Sequence, residues 1–269
     1  MPNSPGFRGR ALITGATSGI GLATAKKFVA EGYEVGILAE SPTLVDTVVA
    51  ELNRERVVAF PVHADLSKPD QVAGLIESLE SSGKPLDVLV NNAGIGLKSD
   101  VMDIRDADLR LLIEVNLISA MTLSRDALKY MSDRKSGNII QVSSAAARRG
   151  LPGMGVYSTT KAGLHLFSES MRVEAAIHNV HVSELLPMTV RTPFFENAKN
   201  SSKTKYEGSN FSVTPERVAD LIFRAVKHPA PEIYTSTLAR IVLAINGINP
   251  KMMDWILIRK QRKEFQKSE

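Results

Sequence analysis

Short apolar runs alternate with longer segments of helical periodicity along most of the chain. The runs are nearly continuous in apolar character, which is typical of strands buried on both faces of a parallel sheet. The predicted strands cover residues 10–14, 34–39, 57–62, 86–90, 137–142, 180–186 and 232–234. Because helical segments separate them, the pattern predicts an α/β fold: a doubly wound parallel sheet of about seven strands, with helices on both faces.

Helix start signals refine this prediction. Ser67, with Asp70 three residues later, resembles a capping box, and Thr214-Pro215-Glu216 supplies a cap, a first-turn proline and an acid. The predicted helices cover residues 19–31, 43–53, 68–81, 106–131, 157–178 and 215–227. The polar segment 193–213 lacks periodicity, so we expect a lid or a disordered loop there. Residues 1–238 then form one domain, and 239–269 form a C-terminal extension.

Composition excludes several classes of protein. The 269 residues are 43% hydrophobic and 23% charged, enough for one large buried core. Without cysteine there is no disulfide, thiolate zinc site or cysteine nucleophile. The first ten residues hold two prolines and no apolar segment, and no run of 18 apolar residues follows, so we expect neither a signal peptide nor a spanning helix. The expected location is cytoplasmic.

The net charge of +4 is concentrated at the C-terminus. Residues 239–269 contain seven basic and three acidic residues, so residues 1–238 are neutral. A neutral body lacks the basic face that nucleic-acid binding requires, and we expect no nucleic-acid partner.

A glycine-rich segment follows the first predicted strand and opens the first predicted helix. It reads Thr14-Gly15-Ala16-Thr17-Ser18-Gly19-Ile20-Gly21. Glycines there allow a tight turn, close approach of backbone to a pyrophosphate and close packing of helix on sheet. The helix N-terminus favours a phosphate group. The context predicts nucleotide binding, although a plain turn would also use glycine.

A candidate acid–base pair lies in the predicted helix 157–178. Tyr157 and Lys161 are four residues apart and therefore share a face. We expect the lysine ammonium to lower the phenol pKa, so that the tyrosine can exchange a proton with a hydroxyl or carbonyl group. Ser144, at the end of a predicted strand, would polarise the substrate oxygen. Chance alone also produces tyrosine–lysine pairs at this spacing.

Taken together, the Thr14-Gly15-x-x-x-Gly19-Ile20-Gly21 spacing, the Asn91-Asn92-Ala93-Gly94 segment, Ser144 and the Tyr157–Lys161 pair resemble the short-chain dehydrogenase/reductase family. The resemblance spans about residues 10–193. It implies a Rossmann-type fold and an NAD(P)-dependent oxidoreductase acting on CH–OH groups. The implied catalytic residues are Ser144 (rather than Ser143), Tyr157, Lys161 and Asn116, the last holding a water in a proton relay. The implied cofactor-binding residues are Thr14, Gly15, Thr17, Ser18, Gly19, Ile20, Gly21, Glu40, Asp65, Leu66, Asn92, Ala93, Gly94, Tyr157, Lys161, Pro187, Val190 and Thr192.

Two positions bear on how the cofactor binds. Pro187-Met188 stands where the family usually has Pro-Gly, and the methionine is expected to narrow the nicotinamide site. The family's usual NAD-binding acid position aligns with Ala39, and Glu40 follows one residue later. An acid there would accept hydrogen bonds from ribose hydroxyls and oppose a 2′-phosphate, and neither Ser18 nor Ser41 offers that phosphate a cation. We therefore expect NAD to be preferred over NADP.

The C-terminal extension allows two interpretations. Two amphipathic helices would close the substrate cleft; alternatively, Met252, Met253, Trp255, Ile256 and Ile258, beside the basic residues 259–263, would contact a membrane and suit a hydrophobic substrate. Arg148 and Arg149 would meet an acidic substrate or solvent.

The remaining expectations concern partners and alternatives. By resemblance we expect a homodimer or homotetramer, formed through the predicted helices 106–131 and 157–178. The alternatives to an alcohol or carbonyl oxidoreductase are a non-catalytic NAD(P)-binding sensor or scaffold, and a dehydratase or epimerase. The complete Ser144, Tyr157 and Lys161 set argues against the former, and the glycine spacing and chain length argue against the latter. No metal is expected.

Overall fold

The computed structural model describes residues 7–196, 198–200 and 212–266. Seven parallel strands form the central sheet: β1 (Gly9–Thr14), β2 (Tyr33–Ala39), β3 (Ala59–His63), β4 (Val88–Asn91), β6 (Gly137–Val142), β7 (Val180–Leu186) and β9 (Glu232–Tyr234). Their spatial order is β3-β2-β1-β4-β6-β7-β9. The short strands β5 (Leu97–Lys98) and β8 (Lys199–Asn200) pair separately. The predicted doubly wound parallel sheet is confirmed.

Helices cover both faces of the sheet. They are α1 (Gly19–Ala30), α2 (Pro42–Leu52), α3 (Pro69–Val72), α4 (Leu75–Glu80), α5 (Asp106–Ile113), α6 (Ser119–Arg134), α7 (Gly155–Ala176), α8 (Pro215–Lys227), α9 (Thr237–Ile248) and α10 (Pro250–Gln266). One buried cluster joins the sheet to α1, α2 and α8 through Phe28, Val45 and Phe223. A second joins it to α4, α6 and α7 through Ile76, Leu123 and Met171.

The strand order reverses at β1. The chain runs outward from β1 to β2 and β3, then returns to place β4 on the other side of β1. Helices leaving in opposite directions open a crevice beyond the carboxyl ends of these two strands, which is where open α/β sheets bind ligands. The glycine-rich segment and residues 92–94 both begin at this point.

The predicted helix 68–81 is wrong in two respects. It is two short helices, α3 and α4, separated by Gly74 in a left-handed conformation (φ +73°) that a continuous helix cannot contain. Lys68, not Ser67, is the N-cap of α3, and the Ser67 N–H donates to Asp65 Oδ1 in a local turn before it.

The predicted helix 106–131 is also interrupted. A π-helical turn at Glu114–Ile118 separates α5 from α6. Asn116 lies in this turn and hydrogen-bonds through both side-chain atoms to the backbone of Ile95. Periodicity cannot reveal one extra residue in a turn, whereas such turns often mark functional positions.

Other boundaries agree with the predictions within about two residues, and Thr214 caps α8 by accepting from the Arg217 N–H as expected. The predicted lid 193–213 begins with a 3₁₀ turn at Pro193–Phe195. Its last residue, Val213, is bound to the segment that precedes it, because the Val213 N–H donates to Thr189 O. Residues 197 and 201–211 lie outside the described residues, so most of the lid prediction does too.

Candidate active site

The glycine-rich loop between β1 and α1 has the geometry of an anion site. Gly15 (φ +63°) and Gly19 (φ +52°) adopt left-handed conformations that other residues rarely take. A Cβ on Gly21 would lie 2.1 Å from the Gly15 carbonyl oxygen, so only glycine fits there. The Ser18 side chain makes no capping hydrogen bond to α1. The first N–H groups of α1 therefore remain available to a phosphate at the cleft.

Thr14 and Asn92 hold the loop against the end of β4. Thr14 Oγ1 accepts hydrogen bonds of 2.9 Å from the backbone N–H groups of Asn92 and Ala93. Asn92 Nδ2 donates to Thr14 O at 2.9 Å. Both side chains thus join the end of β1 to the end of β4, which are 78 residues apart in the sequence. The sequence predicted only cofactor contacts for Thr14 and Asn92, not this structural role.

Tyr157, Lys161 and Ser144 converge between β6 and α7. Ser144 lies two residues beyond the end of β6. Its Oγ accepts a hydrogen bond from the Ala146 N–H, and its hydroxyl hydrogen-bonds the Tyr157 phenol. Lys161 Nζ donates to Val142 O at 2.9 Å and lies 5.9 Å from the Tyr157 ring centroid. All three side chains are more than nine-tenths buried. Ser143 hydrogen-bonds the Lys161 carbonyl and holds α7 against β6.

The expected lowering of the Tyr157 pKa by Lys161 is wrong for this structure. Burial raises the pKa of Tyr157 to about 12, and the hydrogen bond from Ser144 only partly opposes that rise. Burial also lowers the pKa of Lys161 to about 8, against the negative charge of Glu184. Desolvation of both groups outweighs their mutual influence, because Lys161 directs its ammonium to a carbonyl rather than to the phenol.

A buried pair behind Lys161 escaped sequence reasoning. His165 Nδ1 contacts Glu184 Oε2 at 2.5 Å, and the Glu184 side chain is fully buried. His165 follows Lys161 by one helical turn on α7, while Glu184 comes from β7. A glutamate within an apolar strand is the only signal that the sequence offered, and its partner is set by packing.

Asn116 lies beside the cleft without lining it. Its side-chain contacts to Ile95 anchor residues 94–96, and its Nδ2 lies 3.3 Å from Thr160 Oγ1. A Cβ on Gly94 would lie 3.2 Å from Asn116 Oδ1 and 3.7 Å from Lys161 Nζ. Glycine at position 94 therefore keeps the space between the asparagine and the lysine open.

These elements enclose a cleft of about 270 Å³. Most predicted site residues line it: Gly15, Thr17, Ser18, Gly19, Ile20, Asn92, Ala93, Gly94, Ser144, Tyr157, Lys161, Pro187, Val190 and Thr192. Lining residues that were not proposed as binding residues are Ile95, Gly96, Val142, Ser143, Met188, Pro193 and Phe194. The Phe194 ring centroid is 5.8 Å from that of Tyr157, so the start of the 193–213 segment covers the phenol.

Six predicted residues are not among those lining the cleft: Thr14, Gly21, Glu40, Asp65, Leu66 and Asn116. Glu40 and Asp65 follow β2 and β3, which extend the same edge of the sheet away from the glycine loop. Leu66 is buried in the core cluster, and Asp65 Oδ1 accepts from the Ser67 N–H. Glu40 is exposed.

A second cavity of about 140 Å³ adjoins the cleft and shares Ser144 and Met188 with it. Its lining is mostly apolar and includes Leu151, Met154, Leu243, Met253 and Leu257. Helices α9 and α10 therefore supply one wall. Met253 belongs to this wall rather than to the outward membrane-facing set in which the sequence placed it.

Neither arginine near the cleft is left to solvent. Arg148 forms an ion pair with Glu232, and Arg149 pairs with Asp254 at 2.6 Å. Asn246 Nδ2 also donates to Arg148 O. The contacts from Asn246 and Asp254 tie α9 and α10 to the segment after β6. The two arginines therefore bind protein groups, not the acidic substrate or the solvent that the sequence suggested.

The site fits a dinucleotide. The uncapped start of α1, the glycine cradle and the open space beside Gly94 form one continuous cleft that ends at Tyr157, Lys161 and Ser144. Among the described residues, no helix combines the length and the apolarity needed to cross a bilayer.

Comparison with known proteins agrees with this geometry. The family described as short chain dehydrogenase matches residues 10–203. A 3-oxoacyl-[acyl-carrier-protein] reductase of Synechocystis is 34% identical over 84% of this chain and 92% of its own. An NADP-dependent 3-hydroxy acid dehydrogenase of Schizosaccharomyces pombe is 32% identical over 84% and 90%. A short-chain dehydrogenase from Sphingobium yanoikuyae in complex with NADPH, 22% identical, superposes with a TM-score of 0.79 over 91% of this chain and 95% of that one. The chain therefore belongs to the short-chain dehydrogenase family and is an NAD(P)-binding oxidoreductase.

Proposed function

We propose that the protein interconverts an alcohol, secondary or primary, and the corresponding carbonyl compound, with hydride transfer to or from the nicotinamide ring. The observation that carries this proposal is the convergence of Ser144, Tyr157 and Lys161 at one end of a cleft whose other end is the glycine loop. When bound, the nicotinamide supplies or accepts the hydride.

The three side chains have distinct roles in this proposal. Ser144 donates a hydrogen bond to the substrate oxygen and so stabilises negative charge there. Tyr157 gives its phenolic proton to that oxygen during reduction and takes it back during oxidation. Lys161 holds a cationic group near the ribose, and Asn116 positions residues 94–96 beside it.

The raised pKa of Tyr157 indicates how pH should affect each direction of the reaction. With a pKa of about 12, the phenol is protonated at neutral pH and ready to donate. Carbonyl reduction uses this form directly, whereas alcohol oxidation requires the phenolate. We infer that oxidation is the more pH-dependent direction.

The preferred substrate is hydrophobic in this proposal. The second cavity adjoins Ser144 and is walled by Leu151, Met154, Leu243 and Leu257. Burial of such a substrate against these side chains is favourable by roughly 25 cal/mol per Å² of apolar surface. Secondary alcohols and ketones with apolar substituents suit this cavity. The same screen includes 3-hydroxy acids and 3-oxoacyl-[acyl-carrier-protein], the compounds that appear in the names of two relatives.

NAD is the preferred cofactor in our proposal. Glu40 follows β2 directly, where its carboxylate would accept from the ribose hydroxyls and repel a 2′-phosphate. Two of the compared proteins carry NADP or NADPH in their names, so the preference rests on Glu40 alone.

The test begins with titration of the purified protein with NADH and with NADPH, followed by nucleotide fluorescence. We expect NADH to bind more tightly, and Glu40→Arg to reverse the order. Tighter NADPH binding by the unaltered protein would overturn the assignment of Glu40. Turnover is then measured with the substrate panel; nucleotide binding without turnover of any carbonyl or alcohol would favour a sensor or scaffold.

We also propose a homodimer or homotetramer, formed through α5, α6 and α7. Leu166, Val173 and Ile177 lie at helical spacing on and just beyond α7, and all three are more than 60% exposed. A stripe of large apolar side chains on a surface helix is typical of an interface.

A further inference from the structure

The outer face of α9 and α10 is unusually apolar. We define the α9–α10 outer face as Leu238, Ile241, Ile245, Ile248, Met252, Trp255, Ile256 and Ile258. Eight of the eighteen exposed large apolar side chains among the described residues lie on it, within 21 positions of sequence. Such a patch marks a contact surface.

The spacing of these residues shows that they form a stripe. Leu238, Ile241, Ile245 and Ile248 recur every three or four residues and so share one side of α9. On α10, Met252, Trp255 and Ile256 continue at the same spacing. The inward-facing Leu243, Met253 and Leu257 line the second cavity instead. The two helices are therefore apolar on both sides, and the core accounts for only one of them.

Basic side chains flank the stripe. Arg240, Lys251, Arg259 and Arg262 are all exposed on the same two helices. Asp254 is the one carboxylate among the described side chains there, and its charge is matched by Arg149. The Arg259 guanidinium lies 5.6 Å from the Trp255 ring centroid. Among the described side chains, the face thus joins exposed apolar area to an excess of basic groups.

We propose that the α9–α10 outer face docks on an anionic membrane surface. Apolar side chains would enter the boundary between headgroups and acyl chains, and the arginines and the lysine would meet anionic headgroups. Tryptophan favours this boundary because its ring is apolar and its N–H is polar. Charge complementarity selects this occupant over a second copy of the chain, whose own outer face would bring like charges together.

The experiment uses the full chain and its own fluorophore. Trp255 is the only tryptophan in the sequence, so its emission reports on this face without labelling. Vesicles of phosphatidylcholine alone are compared with vesicles containing about 30% phosphatidylserine. We expect a blue shift and at least tenfold tighter binding with the anionic vesicles, weakened by added salt. An unchanged spectrum, or equal binding to both vesicle types, would overturn the proposal.

Paired variants separate specific docking from nonspecific charge attraction. Arg259→Gln with Arg262→Gln should weaken binding about thirtyfold, since each basic residue near a lipid surface contributes roughly fivefold. The matched control, Arg54→Gln with Arg224→Gln, removes the same charge from exposed positions elsewhere and should change binding by less than threefold. Equal losses in the two variants would overturn the proposal.

A second pair tests the apolar stripe. Ile248→Ser should weaken vesicle binding about tenfold, whereas Met102→Ser, at a similarly exposed site outside α9 and α10, should not. The molecular mass of the same proteins, measured by light scattering, tests whether a second copy of the chain binds this face instead. If the unaltered protein is a dimer and Ile248→Ser dissociates it, the face binds a second copy of the chain, and the membrane proposal is overturned.

Discussion

At the scale of single residues, Tyr157 is the group whose loss should abolish turnover without disturbing the fold. Tyr157→Phe keeps the buried ring beside Phe194 and removes only the hydroxyl that hydrogen-bonds Ser144. We expect kcat/KM to fall about 10³-fold, within the range for loss of a general acid–base group. Nucleotide affinity and thermal midpoint should change little. Retained turnover would show that another group transfers the proton.

The pH dependence of turnover follows from the same pKa. Because burial raises the pKa of Tyr157 to about 12, the phenolate fraction grows with pH throughout the stable range. Below about pH 7.5, where Lys161 keeps its proton, we expect kcat/KM for alcohol oxidation to increase steadily with pH, while kcat/KM for carbonyl reduction stays nearly constant. Initial rates in both directions provide the measurement. Pronounced pH dependence of reduction alone would contradict the assignment.

The buried Lys161 ammonium should lower the free energy of unfolding of this protein at neutral pH. Folding moves its pKa from 10.5 to about 8, which corresponds to about 3 kcal/mol of unfavourable desolvation at neutral pH. Lys161→Met removes that cost and loses a hydrogen bond to Val142 O worth about 1 kcal/mol. The variant should therefore be inactive yet more stable by about 2 kcal/mol at pH 7, as measured by urea unfolding.

The sign of the pH effect provides the check on that prediction. Between pH 8 and pH 10.5 the unfolded lysine holds more protons than the folded one, so this group's contribution to stability rises with pH. The stability advantage of Lys161→Met should then shrink as pH rises from 7 to 9.5. An advantage independent of pH would mean that desolvation of Lys161 is not its cause.

At the scale of the elements, the turn from β1 into α1 depends on the absence of a side chain. A Cβ on Gly21 would lie 2.1 Å from the Gly15 carbonyl oxygen, so Gly21→Ala must push α1 away from the loop. We expect a loss of about 1–3 kcal/mol in stability and a large loss of nucleotide affinity. Gly150→Ala is the control, because nothing lies within 4 Å of its added Cβ. Equal effects of the two substitutions would remove the steric argument.

At the scale of the whole molecule, the proposed homo-oligomer should dissociate when a charge is placed among the exposed apolar side chains of α7. Leu166→Glu places a carboxylate on the exposed face of α7 without entering the core. We expect the mass measured by light scattering to drop to about that of a single chain. Met102→Glu, on a separate exposed site, should leave the mass unchanged. A single-chain mass for the unaltered protein would end this proposal.

Local patterns were enough to predict most of the architecture. Continuous apolar strands, helical periodicity and cap residues led to all seven strands of the sheet, because both signals depend on neighbours a few residues apart. The two interrupted helices were missed for the same reason. Gly74 and the π-helical turn around Asn116 change single residues, and a periodic pattern continues across them.

The candidate site divides along the same line. Glycine spacing and the Tyr157–Lys161 interval are local, so the sequence alone indicated most of the residues that the structure brings together around the cleft, Tyr157 and Lys161 among them. Their ionisation was decided by the tertiary structure, because burial of both groups raises one pKa and lowers the other. Pairing of Glu184 with His165 and of Arg149 with Asp254 joins residues 19 and 105 positions apart. Contacts over such separations depend on how helices pack on the sheet, which no local pattern encodes.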